Sequence, residues 1–348
     1  MRKGKGNGLS CLPWLVLLLL AACRPQPGSP LGSGGDPTAP AVEAPAATET
    51  KLPPVAASPS SLVTATSALP SSSPTPETPT APACDPSRSY CLYPYLPRLQ
   101  PPLLRHDLPL PAANYRYGQT QNGLREPHHG LDFPVPFGTP VLAAADGKVL
   151  FAGRDDSPRF TPWPNFYGNL IVLEHSLPDG QASFYTLYGH LSAIAVVEGE
   201  TVRAGQVIGK VGMSGVAIGS HLHFEVRLGG LSYADTRNPE LWLPLPSEQS
   251  GLLLGRVQDA SNRPLYLTLN LQSYSSNDQA LLWSRPLETY SLQERLPVRS
   301  EALWGENFVQ SDLPPGEYRL SLVRNGSLIE RYFPIQAGMI TYLVITVP

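Results

Sequence analysis

The sequence predicts a mostly β chain: two consecutive β units behind a long unfolded N-terminal stretch. From Asn114 onward, short apolar runs alternate with polar residues and are punctuated by Gly, Pro, Asn and Asp, the pattern of half-buried strands joined by turns. Leu243-Pro244-Leu245-Pro246 and a polar spacer then divide this region into a middle unit, 114–246, and a C-terminal unit, 250–348. Ahead of both, Arg24 to Ala83 holds 14 prolines, six charges and no aromatic residue in 60 positions, which leaves nothing to bury and predicts a disordered tether over 24–83.

Residues 1–23 have the layout of an export signal, with Arg2, Lys3 and Lys5 ahead of an apolar stretch from Leu12 to Ala22. That stretch is about half of the ~20 residues a membrane-crossing helix needs. Leu20-Ala21-Ala22-Cys23 resembles the lipobox of bacterial lipoproteins. The resemblance implies lipidation of Cys23 and a chain held on the outer side of a bacterial membrane, in the cell envelope, with several acyl chains as anchor. Beyond that point only Cys84 and Cys91 remain, and an even pair in an exported chain predicts a disulfide within a linker over 84–113. The net charge of −3 supplies no basic field for a nucleic acid.

In the middle unit, Thr139 to Ala145 and Lys148 to Ala152 flank Asp146-Gly147, which predicts a hairpin. Leu170 to His175 and Ser183 to Tyr188 form the next pair, around a loop with Asp179-Gly180, and Gln206 to Val211 and His221 to Arg227 add two strands. An antiparallel β-sheet follows from these. In the C-terminal unit Leu265, Leu267, Leu269 and Leu271 alternate with polar residues, Asn325-Gly326 joins two alternating runs, and Ile340 to Val347 closes the chain, a pattern that predicts a small β-sandwich.

All but one of the seven histidines lie between His128 and His223. Three motifs hold the informative ones: Pro127-His128-His129-Gly130-Leu131-Asp132, Leu187-Tyr188-Gly189-His190-Leu191 and His221-Leu222-His223-Phe224-Glu225. In the third, i and i+2 spacing on a strand turns His221 and His223 to one face and Leu222 and Phe224 to the other. Glu225 continues the histidine face, either to orient a ring or to sit in solvent, and solvent is the expectation. His128 and Asp132 stand at helical spacing, but Pro127, Gly130 and Pro134 predict a loop entering a strand.

With Gly138-Thr139-Pro140-Val141 and Gly205-Gln206-Val207-Ile208-Gly209, these motifs resemble the lysostaphin-type, LytM-like zinc endopeptidases of bacterial cell wall, over roughly Tyr115 to Trp242. The resemblance implies that His128, Asp132 and His223 hold Zn²⁺, with a fourth position open for water. It also implies that His190 and His221 are the catalytic pair, His221 as base and His190 as oxyanion stabiliser and proton-transfer partner. The implied substrate is the peptide part of peptidoglycan, at cross-links or bridges. The chain has no His-Glu-x-x-His motif, and an imidazole can take the part that motif's glutamate plays. His129 is expected beside the site, His106 and His175 get no role, and Tyr117 lies near where the family can carry a tyrosine. A proline- and aromatic-bearing loop, 157–164, departs from the pattern, and its Phe160 and Trp163 either line the groove or pack.

Gly255-Arg256-Val257-Gln258-Asp259 and Asp312 to Tyr318 resemble small prealbumin-like sandwiches, which implies an accessory unit whose ligand would be wall glycan or a protein. The alternative to an enzyme is a non-catalytic wall-binding scaffold that activates another cell-wall hydrolase. It is disfavoured here because all five site positions are present.

Overall fold

The computed structural model describes residues 84–348 except 105–109, 158, 178–182, 278 and 293–294. The export signal, Cys23, the tether, His106 and the Asp179-Gly180 turn lie outside the described residues. Strands account for nearly all the regular structure, and most pairings are antiparallel.

The central sheet is built around three long strands, β4 (Gly147–Arg154), β5 (Asn169–Ser176) and β6 (Ser183–Ile194), followed by β9 (Leu222–Leu228). Short strands extend it: β2 (Leu131–Phe133) and β10 (Thr236–Arg237) flank β9, β8 (Val207–Val211) lies between β6 and β3 (Pro140–Leu142), and β7 (Thr201–Val202) edges β4. Alternation sorts the side chains. Ile171, Leu173, Tyr188, Leu222, Phe224 and Val226 enter the main core, while Leu170, Val172 and Leu187 pack on the opposite face beneath Phe160 and Tyr167. The sheet is therefore buried on both faces, and the 157–164 loop supplies part of the cover.

The hairpin expected at Asp146-Gly147 does not form. β3 pairs with β8, whereas β4 pairs with β5 and β7. A Cβ on Gly147 would lie 2.6 Å from both the Glu174 carbonyl and the His175 ring, and the Asp146 carbonyl accepts from His175 Nδ1 at 2.7 Å. Asp-Gly is spent on a corner with a close crossing, not on a two-residue turn.

The remaining strands form two four-stranded sheets packed face to face. One has the order β1-β17-β11-β14, from β1 (Cys91–Pro94), β11 (Gly251–Asp259), β14 (Phe308–Leu313) and β17 (Met339–Val347). The other has the order β13-β12-β15-β16, from β12 (Thr268–Tyr274), β13 (Leu281–Glu288), β15 (Gly316–Arg324) and β16 (Ser327–Ile335). Leu253, Val257, Leu343 and Ile345 meet Leu269, Leu271, Tyr318, Leu320 and Phe333 between them. β1 departs from the reading of 84–113 as linker: Cys91 to Pro94 pair with Met339 to Tyr342, and a disulfide joins Cys84 to Cys91.

The alternate residues of β11, Leu252 and Leu254, point away from the sandwich interior and join Val309 and Ile340 in the same core as the central sheet. The sandwich thus shares apolar packing with the central sheet through one strand with two buried faces.

Candidate metal centre

Three elements deliver the histidines and the aspartate. β2 pairs with β9 so that Asp132 stands opposite His223, and Gly189 of β6 pairs with His223 on its other side. Gly130, just ahead of β2, has no room for a side chain, since a Cβ would lie 2.5 Å from the Phe224 carbonyl and 2.9 Å from the His223 ring. The loop before β2 is thereby drawn against β9. His128 Nε2 comes 3.3 Å from both His223 Nδ1 and Asp132 Oδ1, and His223 Nδ1 comes 2.9 Å from Asp132 Oδ1. His128, Asp132 and His223 are the group, among the described residues, whose ligand atoms converge to hold a metal ion.

The second nitrogen of each ring is already engaged, which fixes the tautomer. His128 Nδ1–H donates to the Tyr115 carbonyl at 2.8 Å and His223 Nε2–H to Glu225 Oε1 at 3.1 Å. In its neutral form each therefore turns a lone pair inward. Ligand atoms on a tetrahedral zinc at ~2.0–2.1 Å lie roughly 3.3 Å apart. The two nitrogens and one carboxylate oxygen match that spacing and are a donor set zinc accepts.

His190 and His221 stand beside the trio, their rings 4.7 Å apart and His221 Nε2 3.7 Å from Asp132 Oδ1. His190 Nδ1–H donates to the Ser214 carbonyl at 2.8 Å and His221 Nδ1–H to the Gly219 carbonyl at 3.0 Å, so both present Nε2 as an acceptor. Burial, reinforced by the neighbouring His223 and His221, lowers His190 to about 3. Burial also lowers His221. His190 adopts a left-handed backbone, φ 61°, at an irregularity in β6. For a residue with a Cβ that conformation costs roughly 1–2 kcal/mol, and such strain concentrates at functional sites.

Charge is arranged for a cation. Burial raises Asp132, but His128 and His223 outweigh it and hold the carboxyl well below its ordinary range. Burial lowers His223, yet its bonds to Asp132 and Glu225 lift it to about 9, so its Nδ1 also holds a proton against Asp132 and offers the inward lone pair only when a bound cation displaces that proton. Glu225 corrects the expectation of a solvated carboxylate. It is fully buried and accepts from His223, from Tyr167 Oη at 2.5 Å and from Arg227 Nε at 2.8 Å. Burial opposes its charge, and Arg227 with His223 overcomes that to place it at about 2. The alternation of His221, His223, Glu225 and Arg227 puts them on one face along β9, and the cover that Tyr167 and Phe160 lay over that face, which alternation does not reveal, is what buries Glu225.

The trio opens into a groove of roughly 540 Å³ lined by Tyr115, Arg125, Glu126, Trp163, Phe166, Val216, Ile218 and Tyr233. Trp163 lines it, while Phe160 packs beneath the sheet. Tyr117 lies outside it, buried, with its hydroxyl donating to the Thr236 carbonyl at 2.9 Å. Tyr115 is the tyrosine at the site, stacked on His128 at 4.3 Å with its hydroxyl pushed up to about 12 by burial. No spacing rule marked it. His129 is buried, stacks on Tyr233 at 3.6 Å and bonds Thr236 Oγ1, with burial lowering it to about 4.

The same segment is recognisable by comparison. Residues 126–235 match Peptidase family M23. Over 103 residues the chain is 43% identical to the DD-carboxypeptidase/endopeptidase Mpg of Neisseria meningitidis serogroup B, covering 30% of this chain and 20% of that protein. Over 100 residues it is 38% identical to the peptidoglycan DD-endopeptidase ShyB of Vibrio cholerae, covering 29% of this chain and 20% of that protein. The chain thus spans about a fifth of the length of these curated relatives. Among solved structures, the catalytic domain of lysostaphin from Staphylococcus simulans aligns with 30% identity over 39% of this chain and 91% of that one, TM-score 0.31. The motif residues gathered at this groove, His128, Asp132, His190, His221 and His223, all lie within the segment, residues 126–235, that matches peptidase family M23.

Proposed function

We propose that this chain is a zinc-dependent endopeptidase that hydrolyses peptide bonds of bacterial peptidoglycan, at the cross-links between stem peptides. The observation that carries the reading is the convergence of His128 Nε2, Asp132 Oδ1 and His223 Nδ1, each within 3.3 Å of the others, beside two histidines that both present a free Nε2. The relatives named as DD-endopeptidases support the cross-link as substrate.

His128, Asp132 and His223 would hold the zinc, which when bound polarises a carbonyl and brings the pKa of water from 15.7 to near ~7. The rest of the chemistry belongs to the side chains. Neutral His221, with Nε2 facing Asp132 and the groove, takes a proton from the attacking water. His190, held by Ser214, turns Nε2 to the groove; on taking over the proton that His221 has removed from the water, its Nε2–H donates to the oxyanion and then passes that proton to the leaving amine. Tyr115, Trp163, Phe166 and Tyr233 give an apolar aromatic wall that excludes water from the scissile bond. The Cys84–Cys91 disulfide supports an exported chain, as such bonds persist in oxidising compartments. Export and a lipid anchor at Cys23 complete the proposal, placing the protein in the cell envelope.

The test is metal content and release of wall peptides, side by side, for the chain and for His223→Ala and His221→Ala. One zinc per chain with peptide release is expected, both lost in His223→Ala, and zinc kept with turnover reduced by 10²-fold or more in His221→Ala. A chain that holds zinc but cuts no wall would sink the catalytic reading.

A further inference from the structure

We propose that Glu288 is a positioning residue for the loop that carries Tyr115 and His128, with Tyr290, Ser291, Leu296 and Arg299 packed behind that loop. The inference rests on the reading of His128 as a metal ligand.

The loop over 115–129 closes on itself through Gly118 N–H to the His128 carbonyl at 2.7 Å, His128 N–H to Gln119 at 3.0 Å and Arg125 N–H to Thr120 at 2.9 Å. Its tip is strained: Gln121 and Asn122 both have left-handed backbones, φ 55° and 57°. For Gln121 that conformation is sterically costly, and such conformations persist only where surroundings impose them. Glu288, at the end of β13, does this. Its Oε1 accepts from Thr120 N–H at 3.1 Å, Thr120 Oγ1 at 2.7 Å and Asn122 N–H at 3.3 Å, and from the Tyr266 hydroxyl. Glu288 is itself buried, and its partners here are amides and hydroxyls, so the carboxylate has lost water and depends on the loop as the loop depends on it.

Downstream residues continue the contact. The Tyr290 ring fills the space beside Gly118, where a Cβ would lie 2.5 Å from it, and Ser291 N–H donates to the Gly118 carbonyl at 3.3 Å. His129 bonds the Leu296 carbonyl at 3.2 Å, and the Tyr117 hydroxyl is held between the carbonyl and N–H of Arg299 at 2.9 and 3.0 Å. The consequence reaches the metal site in one step, because the Tyr115 carbonyl fixes the tautomer of His128 and the Tyr115 ring stacks upon it. The sandwich is on this view part of the catalytic unit.

The experiment compares the full chain with Glu288→Ala, Glu288→Gln and Thr120→Val, and with Ser284→Ala on the exposed face of the same strand, by amide hydrogen exchange and by zinc titration against a competing chelator. Glu288→Ala should speed exchange at Thr120 and Asn122 by tenfold or more and weaken zinc about tenfold. Glu288→Gln, which keeps an acceptor oxygen, should recover most of both, and Ser284→Ala should change neither. Exchange and zinc affinity in Glu288→Ala within twofold of the unaltered chain would overturn the proposal, as would equal losses in Ser284→Ala. If Glu288→Ala does not fold, Thr120→Val reads the same contact with one bond removed, and its failure to loosen the loop counts against the proposal. A chain that binds no zinc would end the metal reading, and exchange at Thr120 and Asn122 would still decide whether Glu288 holds the loop.

Discussion

Glu225 and Arg227 are charged residues with no exposed surface, two positions apart on β9. Their pairing at 2.7 Å gives each the partner that burial requires, and the remaining donors of Arg227 reach the Phe160 carbonyl at 2.9 Å and the Leu231 carbonyl at 2.5 Å. Phe160 is thereby tied, through Arg227 and Glu225, to the His223 ring of the candidate metal centre. Outer partners of a ligating histidine are worth about 10- to 100-fold in metal affinity, so Glu225→Ala should weaken zinc binding by that range with His223 still present, in a chelator titration. Arg227→Met should do something different. It strands a buried carboxylate, which costs about 3–5 kcal/mol, so urea unfolding should show a loss of that size. A loss under about 1 kcal/mol would mean that Glu225 finds another partner.

At the scale of elements, the turn over 213–219 carries the Ser214 carbonyl that orients His190, and it crosses the start of β5 with almost no gap. Gly215, φ 72°, has its Cβ position 2.4 Å from Gly168 N and 2.5 Å from the Phe166 carbonyl. Gly215→Ala combines left-handed strain of roughly 1–2 kcal/mol with overpacking of about 1–3 kcal/mol. Stability should fall by about 2–5 kcal/mol in denaturant, with turnover falling further as Ser214 is pushed off His190; unchanged values for both would refute this crossing. The same scale shows what the sequence could reveal. Alternation in Leu222, Phe224 and Val226 against His221 and His223 announced β9, and Asn325-Gly326 announced the β15–β16 hairpin. Asp146-Gly147 misled because the residue types that suit a tight turn also suit a close crossing, and only the partner strand distinguishes the two. β1 was hidden for a related reason: four residues ending in Pro94 become a strand only when Met339 to Tyr342 arrive beside them from the far end of the chain. The histidines were legible by motif, while Tyr115 and Glu288 act through loop geometry that leaves no periodic trace.

For the whole molecule, the important surface is the one between the central sheet and the sandwich, where polar groups are buried along with Leu252 and Leu254. Arg116 bridges Glu240 at 2.6 Å and Asp312 at 2.9 Å, and Trp242 Nε1–H donates to Glu301 at 2.7 Å. Glu306 lies in the same layer, and its carboxylate accepts from the Glu301 N–H at 3.0 Å. Burial, with the charge of Glu301 adding to it, raises Glu306 to about 8 from an ordinary 4.5, against the weaker pull of that N–H and of Arg237. Between those two values the native chain keeps a proton that the unfolded chain has released. The unfolded state then binds fewer protons, so the contribution of Glu306 is fully present below pH ~4.5 and is lost as pH rises through ~8. Other groups shape the same curve, so the measurement that isolates this one is a difference: thermal midpoints from pH 5 to 9 for the chain and for Glu306→Gln, which keeps an acceptor for the Glu301 N–H and cannot ionise. The glutamine variant should overtake the unaltered chain as pH rises, the gap widening up to about pH 8. Parallel curves would show that Glu306 ionises normally, which its burial between the two β units does not allow without the interface opening.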